Sequence, residues 1–250
     1  DRDHPPANES RDQLLAHILR VCVERRGKLI IPAFSIGRTQ EILHTLNGLH
    51  NEGRLPRIPV FVDSPLSINA TAIYRRYAHL LQEDVRAELA ADPDLFGFRG
   101  VEFVREAARS KQLNDRQEPC IVIAASGMME AGRVRHHLLH GLPNERNAVL
   151  VVGFCAPGSL GAEILERPDH VHIFGERVPV RAEVLRMEGY SAHADRNELM
   201  RWISCQNAAL VERVFLVHGV PASASGLRER LTAQGYQRID IPGQGQRFEV

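Results

Sequence analysis

Two histidines stand in short runs of small residues, where a loop would expose the imidazole side chain. His193 lies in the segment GYSAHAD, one step past a strand-like run, and Asp195 is close enough in sequence to orient it. His218 ends the apolar run VFLV and precedes a glycine. A histidine titrates near neutral pH, so it can transfer a proton or bind a metal ion. For each histidine taken alone, a structural role and a functional role both remain open.

A third candidate is the segment IAASGMMEAGR, in which a buried strand runs into a Ser-Gly turn and a helix begins near Gly132 or Arg133. Free backbone N–H groups at a helix start, together with the helix dipole, favour a bound phosphate. Arg133 can add a charge-assisted hydrogen bond to that phosphate. The alternative is a tight strand–helix turn in which Ser126 only caps the helix.

Two further histidine pairs are better interpreted as structural. His136 and His140 lie four residues apart on a predicted helix, and His170 and His172 alternate along a predicted strand. Each spacing places two imidazoles on one face. A zinc site needs three or four ligands, however, and no third ligand is evident for either pair.

The elements that position these residues alternate between buried strands and helices. The apolar runs KLIIPAF, PVFVD, VEFV, CIVIAA and AVLVVGF are typical of buried strands, and helical patterns separate them. These helical patterns include RTQEILHTLNGLH, SINATAIYRRYAHLLQED, REAARSKQL and GRVRHHLLHGL. The alternation predicts an α/β fold with a mostly parallel sheet. From about residue 170, HVHIF, the turn GER and VPVRAEVLRME predict hairpin-joined strands instead of crossovers.

Ligands of open parallel sheets bind outside the carboxyl ends of the strands, so the residues that follow each strand are candidate contacts. These positions are Ser35 to Arg38, Asp63 and Ser64, Ser126 to Met128, Phe154, and His218, and most of them hold polar or small residues. We therefore expect a site at this one edge of the sheet.

Composition sets the remaining bounds. The 250 residues are 44% hydrophobic and 25% charged, which is typical of a soluble globular protein. The 31 basic and 31 acidic residues balance, so an anion would have to be bound by a local group of residues and not by the net charge of the chain. Four widely separated cysteines predict free thiols, mostly buried, which suit a cytoplasmic protein. The sequence contains no run of about 18 apolar residues, so we expect no transmembrane helix. A generic nucleotide-binding domain is disfavoured, because GxGxxG and Walker loops are absent from the sequence.

The segments GYSAHAD, LVHG, IIPAFSIGRTQE, VDSPLSINA and ASGMMEAGR together resemble the β-CASP group of metallo-β-lactamase-fold nucleases. That group includes ribonuclease J and the endonuclease subunit of the cleavage-and-polyadenylation machinery, and the resemblance covers nearly the whole chain. It implies a mostly parallel β-CASP sheet flanked by helices, followed by the C-terminal strands and helices of a metallo-β-lactamase fold. The implied domains are the end of a lactamase segment (1–10), the β-CASP domain (11–172) and the C-terminal lactamase part (173–250).

The resemblance also implies roles for individual residues. His193 matches the family's histidine beside the scissile phosphate, a proton donor or transition-state stabiliser that we expect Asp195 to assist. His218 matches a histidine that ligates one of two zinc ions. The expected substrate contacts are Ser126, Gly127 and Arg133 of a phosphate-gripping loop, Ser191 near it, and the strand-end residues Ser35, Arg38, Asp63, Ser64 and Met128.

The family's main zinc motif, HxHxDH, is absent from this sequence, which begins inside a segment that resembles the family's GDR-x-HP. We therefore expect an N-terminal, metal-binding half to precede this chain in a longer protein. On this interpretation the two zinc ions belong to the full-length protein and the chain alone is inactive. The expected partners are single-stranded RNA and the missing half, with a homodimer possible and no membrane.

The resemblance thus predicts the C-terminal portion of a zinc-dependent metallo-hydrolase that processes RNA, with endo- and exonuclease action both open. It would supply the RNA platform, a catalytic histidine and one zinc ligand. The alternative is a non-catalytic RNA-binding or scaffold subunit of the same family. Retention of both His193 and His218 favours the enzyme, because an inactive relative has no chemical reason to keep them.

Overall fold

The computed structural model describes residues 7–190 and 194–249. These residues form two compact units, one up to residue 190 and a smaller one from residue 194 onward. The predicted α/β class with a mostly parallel sheet is confirmed. Within the two described ranges, no helix is long and apolar enough to cross a membrane.

The first unit alternates strands and helices along most of its length. Its strands are β1 (Lys28–Pro32), β2 (Val60–Val62), β3 (Val101–Phe103), β4 (Cys120–Ala124), β5 (Ala148–Val151), β6 (His170–Ile173), β7 (Glu176–Pro179) and β8 (Glu183–Arg186). Its helices are α1 (Ala7–Ile18), α2 (Arg38–Asn51), α3 (Pro65–Arg76), α4 (Glu83–Glu88), α5 (Ala107–Asp115), α6 (Val134–Gly141) and α7 (Leu160–Leu165). A π-helical stretch, Leu19–Glu24, continues α1, and a 3-10 turn, Ala78–Leu80, follows α3.

Six of these strands form one sheet in the order β3-β2-β4-β1-β5-β8, and every neighbouring pair is parallel. The central strand β1 shows why these sequences form strands. Leu29 and Ile31 pack into one hydrophobic cluster with α1, α2 and α3. Ile30 points the other way, into a second cluster with α5, α6 and α7. Because both faces are covered, a continuous apolar run is stable there, and the result is a three-layer α/β/α arrangement.

The hairpin predicted after residue 170 is confirmed, but its turn lies one residue earlier than predicted. β6 and β7 pair antiparallel with Ile173 opposite Glu176, so Phe174 and Gly175 form a two-residue turn. The next strand, β8, does not extend the hairpin. It pairs in parallel with β5 and closes one side of the six-stranded sheet. Residues 183–186 therefore lie in the sheet of the first unit, while the predicted domain division at residue 172 stays a prediction.

The long helix predicted over SINATAIYRRYAHLLQED is broken in the structure. α3 ends at Arg76, and α4 begins only at Glu83. Neither the 3-10 turn between them nor α4 contains a buried residue. A helix is stabilised mainly by packing an apolar face. Here Leu81, Val85 and Leu89 contact the core but are only partly buried, so the segment does not hold one continuous helix.

The second unit contains α8 (Arg196–Ile203), a 3-10 turn (Ala208–Leu210), β9 (Val214–Phe215), α9 (Pro221–Ala233) and β10 (Ile239–Asp240). β9 and β10 are parallel and joined through α9. Among its described apolar residues, only Ala224, Leu231 and Tyr236 are buried. The free thiols predicted from the sequence are confirmed for Cys22, Cys120, Cys155 and Cys205, and Cys205 alone of these is exposed.

Gly27 generates the first prediction, because it lies at the entrance to the central strand β1. A Cβ at this position would lie 1.8 Å from the carbonyl oxygen of Arg146, which precedes β5. We expect Gly27→Ala to lower the free energy of unfolding by about 1–3 kcal/mol, since one of the two backbones must move. Urea unfolding measures the change. Gly153→Ala is the control, because nothing lies within 4 Å of a Cβ there. Equal effects of the two substitutions would contradict the close approach.

Candidate functional site

Residues from several strands meet at the carboxyl edge of the six-stranded sheet, where the sequence predicts a site. Ser35 follows β1 and Ser64 follows β2, and their Oγ atoms lie 3.4 Å apart. Ser64 is buried and caps α3 by accepting a hydrogen bond from the Ser67 N–H. The structure thus brings Ser35 and Ser64 together, and their contact with substrate stays a prediction.

The centre of this edge is the buried carboxylate of Asp63, which follows β2. Asp63 is 0% exposed and accepts three hydrogen bonds, from Ser110 Oγ at 2.6 Å, Arg133 Nη1 at 2.7 Å and His137 Nε2 at 2.6 Å. Ser110 belongs to α5 and His137 to α6, while Arg133 is the residue just before α6. The sequence predicted Asp63 and Arg133 as site residues but gave no role to Ser110 or His137. The one available signal was the i, i+4 spacing of Arg133 and His137, which places both on one helix face.

Burial and hydrogen bonding oppose each other at Asp63. Burial on its own raises the pKa of this carboxyl group, because the charged form loses its hydration. The hydrogen bonds from His137, Ser110 and Arg133, together with the charge of His137, outweigh burial and hold the pKa of Asp63 below its ordinary value. Asp63 is therefore an ionised buried group whose hydrogen-bonding capacity is met by protein groups. As placed, it has no contact with solvent and acts on the site through its partners.

Arg133 is engaged on several sides. Besides its ion pair with Asp63, its guanidinium donates to the carbonyl oxygens of Val104 at 3.0 Å and Arg105 at 2.7 Å. The side chain remains 20% exposed. The charge that the sequence assigned to a bound phosphate is thus balanced by Asp63 in this arrangement, and the direct contact stays a prediction.

The loop between β4 and α6 differs from the predicted helix-start site. The N–H groups of Val134, Arg135 and His136 at the start of α6 donate to the carbonyls of Ala125, Gly132 and Arg133. They are therefore not free to bind a phosphate. The alternative role for Ser126 is also not found, since its Oγ accepts from the Ala131 N–H at 3.3 Å, inside the loop.

Free N–H groups lie earlier in the same loop. Among the described residues, the backbone N–H groups of Gly127 and Met128 have no hydrogen-bond acceptor. Their carbonyls point the other way, because Met128 O accepts from the Gly161 N–H at 3.1 Å and Gly127 O lies 3.9 Å from Cys155 Sγ. Successive unpaired N–H groups form an anion-binding concavity. The loop can therefore bind an anion through its backbone.

Exposed apolar side chains border this loop. Phe34 is 46% exposed, and a Cβ on Gly127 would lie 3.0 Å from its ring. Phe154, which follows the neighbouring strand β5, is 50% exposed. The sequence pattern assigned Phe34 to a strand, but β1 ends at Pro32, and Phe34 lies in the loop after it. These rings are suited to stacking against a planar ligand.

Arg38 lies at the start of α2. Its side chain is 9% exposed, forms an ion pair with Glu41 and stands 5.9 Å from the ring centroid of Tyr190. Tyr190 is buried, and burial raises its pKa to about 12. Arg38 therefore contacts the end of the first unit, just before the GYSAHAD histidine in sequence. The predicted contacts Ser191 and His193 lie outside the described residues.

In the second unit, Asp195 caps α8. Its Oδ1 accepts from the Glu198 N–H at 2.8 Å, and its own N–H donates to the Glu198 carboxylate at 2.9 Å. This capping box fixes the helix start, and the assistance of Asp195 to His193 stays a prediction.

His218 is exposed and adopts a left-handed backbone conformation with φ of 69°. An exposed imidazole is chemically suited to zinc, but a zinc site needs three or four ligands. In the parts of the chain that the structure describes, no group of three or more His, Cys, Asp or Glu residues is placed to hold a metal ion. These residues therefore do not build a zinc site by themselves.

Two families match the sequence. Residues 39–164 match the Beta-Casp domain, and residues 177–242 match the family described as the Zn-dependent metallo-hydrolase RNA specificity domain. The chain is 39% identical over 238 residues to Ribonuclease TTHA0252 of Thermus thermophilus, covering 95% of this chain and 53% of that protein. It is 33% identical over 217 residues to an RNase J-like protein of Methanocaldococcus jannaschii, covering 87% of this chain and 49% of that protein.

A third relative carries a different name. The transcription termination factor FttA of Methanocaldococcus jannaschii is 30% identical over 221 residues, covering 86% of this chain and 34% of that protein. The chain thus spans about half of the first two relatives and about a third of this one.

The buried ion pair of Asp63 generates the second prediction. We expect Asp63→Asn to lower the free energy of unfolding by about 3–5 kcal/mol, because it leaves the Arg133 guanidinium without its counter-ion. Glu102→Gln is the control. It removes an exposed ion pair with Arg109, whose side chains are 42% and 40% exposed, and should cost less than about 1 kcal/mol. Chemical unfolding at neutral pH measures both, and equal costs would contradict the role assigned to Asp63.

The same variant has an expected pH dependence. The pKa of Asp63 is lower in the folded protein than in the unfolded chain, where it is about 3.9. Its carboxylate therefore stabilises the fold fully above about pH 4, and this contribution is lost as the pH falls through the folded-state value. We expect the unfolding free energy of Asp63→Asn to depend less on pH in this acid range than that of the unchanged protein.

Proposed function

The chain belongs to the β-CASP family of metallo-β-lactamase-fold RNA nucleases, and from that premise we propose that it forms the RNA-binding portion of a zinc-dependent ribonuclease. One observation carries the proposal. The carboxyl edge of the sheet places the unpaired N–H groups of Gly127 and Met128 beside the exposed ring of Phe34. An anion-binding loop next to an aromatic surface suits a phosphate and its base.

In this proposal the backbone of single-stranded RNA lies along the carboxyl edge. A phosphate accepts hydrogen bonds from Gly127 and Met128, and an unpaired base stacks on Phe34 or Phe154. Stacking on aromatic rings is the usual way in which proteins hold single-stranded nucleic acid without reading its sequence. Ser35 has a half-exposed hydroxyl at the same edge, which supports a further contact to the RNA.

Asp63 and Arg133 position this surface instead of forming it. Asp63 is buried, and the hydrogen bonds of Arg133 to the ends of β2 and β3 hold the start of α6, and with it the loop that contains Gly127. Ser64 plays a similar part as the cap of α3. We propose Arg38 as a positioning residue for Tyr190, which precedes Ser191 and His193 in the sequence.

The chemistry is proposed for the part of the sequence after residue 190. His193, with Asp195 nearby, would donate a proton to the ribose oxygen that leaves when the phosphodiester is cut. Two zinc ions, when bound in the full-length protein, would activate the attacking water and neutralise the phosphate. His218 would be one of their ligands. The others would come from an N-terminal metallo-β-lactamase half, because HxHxDH does not occur in these 250 residues.

A second candidate function is a non-catalytic RNA-binding or scaffold subunit. The name of one relative, transcription termination factor, favours a role that is not defined by cleavage alone. The two candidates share the RNA surface and differ in whether His193 and a bound zinc site cut the RNA. Cytoplasmic location and a homodimer remain predictions, and the free thiols of the described cysteines are compatible with the first.

His193 separates the two candidates. In a protein that joins this chain to a complete zinc site, we expect His193→Ala to lower the rate of RNA cleavage by about 10²–10⁴-fold, because general acid catalysis is lost. Affinity for an uncleavable single-stranded RNA should stay unchanged. The control is His79→Ala, which removes an exposed histidine of the first unit. Cleavage at full rate by His193→Ala, at saturating zinc, would overturn the assigned role, and no cleavage by the unchanged protein would favour the scaffold.

The chain alone generates a further prediction. We expect it to bind single-stranded RNA weakly, with an affinity that falls as salt rises, since its formal net charge is +0. We expect no cleavage when zinc is added, because a single ligand such as His218 does not hold a two-zinc site. A gel assay with labelled RNA tests both statements. Cleavage that requires zinc and disappears in a His218→Ala preparation, purified in parallel to exclude contaminating nucleases, would contradict this expectation.

A further inference from the structure

The turn of the β6–β7 hairpin presents an aromatic ring to solvent in an unusual setting. The ring of Phe174 contacts the first turn of α6, where the Arg135 guanidinium lies 4.3 Å from its centroid and the His136 ring 4.7 Å from it. Phe174 is nonetheless 47% exposed. We call Phe174, Arg135 and His136 the Phe174 patch. It is a layered surface of a cation and two aromatic rings that remains open to solvent.

The backbone of Phe174 shows that turn formation alone does not explain this residue. Phe174 has φ of 55° and Gly175 has φ of 82°, so both central residues of the two-residue turn are left-handed. Such turns are strongly enriched in Asn, Asp and Gly, and a bulky aromatic residue in this conformation is an outlier. Strained positions of this kind cluster at binding and catalytic sites.

Core packing does not explain Phe174 either. The hairpin is held to the sheet by Val171 and Ile173, which are 0% exposed, and by Val178, which is 3% exposed. These three side chains belong to the hydrophobic cluster that contains Leu138 of α6. Because the hairpin already has buried anchors, the ring of Phe174 is available for another partner.

Arg135 and Lys111 supply positive charge near the patch, while exposed Glu176 and Arg177 follow Gly175 in the chain. The pKa of His136 is lowered, first by burial and then by its neighbours His137, His140, Arg135 and Lys111. Lys111 and His140 are exposed. Exposed cations beside a stacked aromatic surface attract a polyanion that carries flat, apolar groups, which is the chemistry of a single-stranded nucleic acid.

We propose that the Phe174 patch is a second RNA contact, in which a base stacks on the Phe174 ring and the adjoining phosphates face Arg135 and Lys111. This inference rests on the proposed function, because it extends the same single-stranded RNA beyond the carboxyl-edge loop. Arg135 and His136 lie two and three residues after Arg133, in the first turn of α6, so the patch begins close to where that loop ends. The contact has no base specificity, since every base offers a flat face.

Phe174→Asn is the informative substitution, because asparagine is well suited to a left-handed turn and lacks the ring. We expect the melting temperature of the chain to be maintained and its Kd for fluorescein-labelled oligouridine RNA to rise about tenfold, in fluorescence anisotropy at low salt. The matched control is Tyr77→Asn, which removes an exposed ring that Arg76 covers at 5.6 Å elsewhere in the first unit. The control should leave the Kd unchanged. An unchanged Kd in Phe174→Asn would overturn the inference.

A local readout separates this inference from the proposed function. Trp202 is the single tryptophan of the sequence, so Phe174→Trp in a Trp202→Phe background provides one fluorophore at the patch. We expect its emission to be quenched on addition of oligouridine, because a base stacks on the indole. If RNA binds to this chain without quenching, the patch is not a contact, although the carboxyl-edge site stands. If no single-stranded RNA binds at all, both proposals fail. Quenching by a peptide polyanion such as polyglutamate, equal to that by RNA, would show charge attraction without stacking and would also overturn the inference.

Discussion

The hydrogen bonds of Asp63 hold the carboxyl edge of the sheet in its arrangement. An ionised carboxylate in the protein interior is costly unless its oxygens are paired, and here Ser110, Arg133 and His137 pair them. These three donors come from α5, from the residue before α6, and from α6 itself. Hydrogen bonds to Asp63 therefore connect β2, α5 and α6. Arg133 connects them also to the residues after β3, through its bonds to the carbonyls of Val104 and Arg105.

These hydrogen bonds determine which groups at the edge remain available to bind a ligand. Arg133 is neutralised by Asp63, and the first N–H groups of α6 are bonded within the chain. The groups that remain include the N–H groups of Gly127 and Met128, the Ser35 hydroxyl and the exposed aromatic rings. On the proposed function, an RNA site of this composition uses backbone dipoles and stacking more than net charge. That agrees with a sequence in which 31 basic and 31 acidic residues balance.

The sequence predicted the layers of the fold well, because they follow from patterns that are local. A continuous apolar run such as LIIP indicates a strand covered on both faces, and α2 was predicted almost residue for residue. The edge residues that follow β1, β2, β4 and β5 were also found, since the carboxyl ends of parallel strands meet at one edge. The expectation was wrong for His218, because it follows β9, which belongs to a separate two-stranded sheet of the second unit. What the sequence did not contain was the pairing among them. Whether Arg133 faces a phosphate or Asp63 depends on the distance between β2 and α6, which only the packed structure sets.

The same distinction explains the other differences from prediction. The break after Arg76 results from incomplete burial of the apolar side chains that follow it, not from a strong local helix breaker. The turn at Phe174 was missed because an aromatic residue in a left-handed conformation contradicts the usual turn composition. Where a residue is unfavourable for local structure and yet present, its reason lies in a contact that local patterns do not encode.

The two units differ in how much of their apolar surface is buried. This difference affects which unit can position groups for binding and which for catalysis. The first unit fixes its edge with buried clusters on both faces of the sheet and with the Asp63 network. In the second unit, Trp202 is 76% exposed and Leu210 79% exposed, and β9 and β10 have two residues each.

A metal or catalytic site needs ligands held within about 0.5 Å by packed neighbours. His218, exposed and left-handed, does not have that support from the described residues of its own unit. On the proposed function, RNA binding is therefore a property of the first unit as it stands, while the zinc geometry depends on packing that residues 194–249 do not supply on their own.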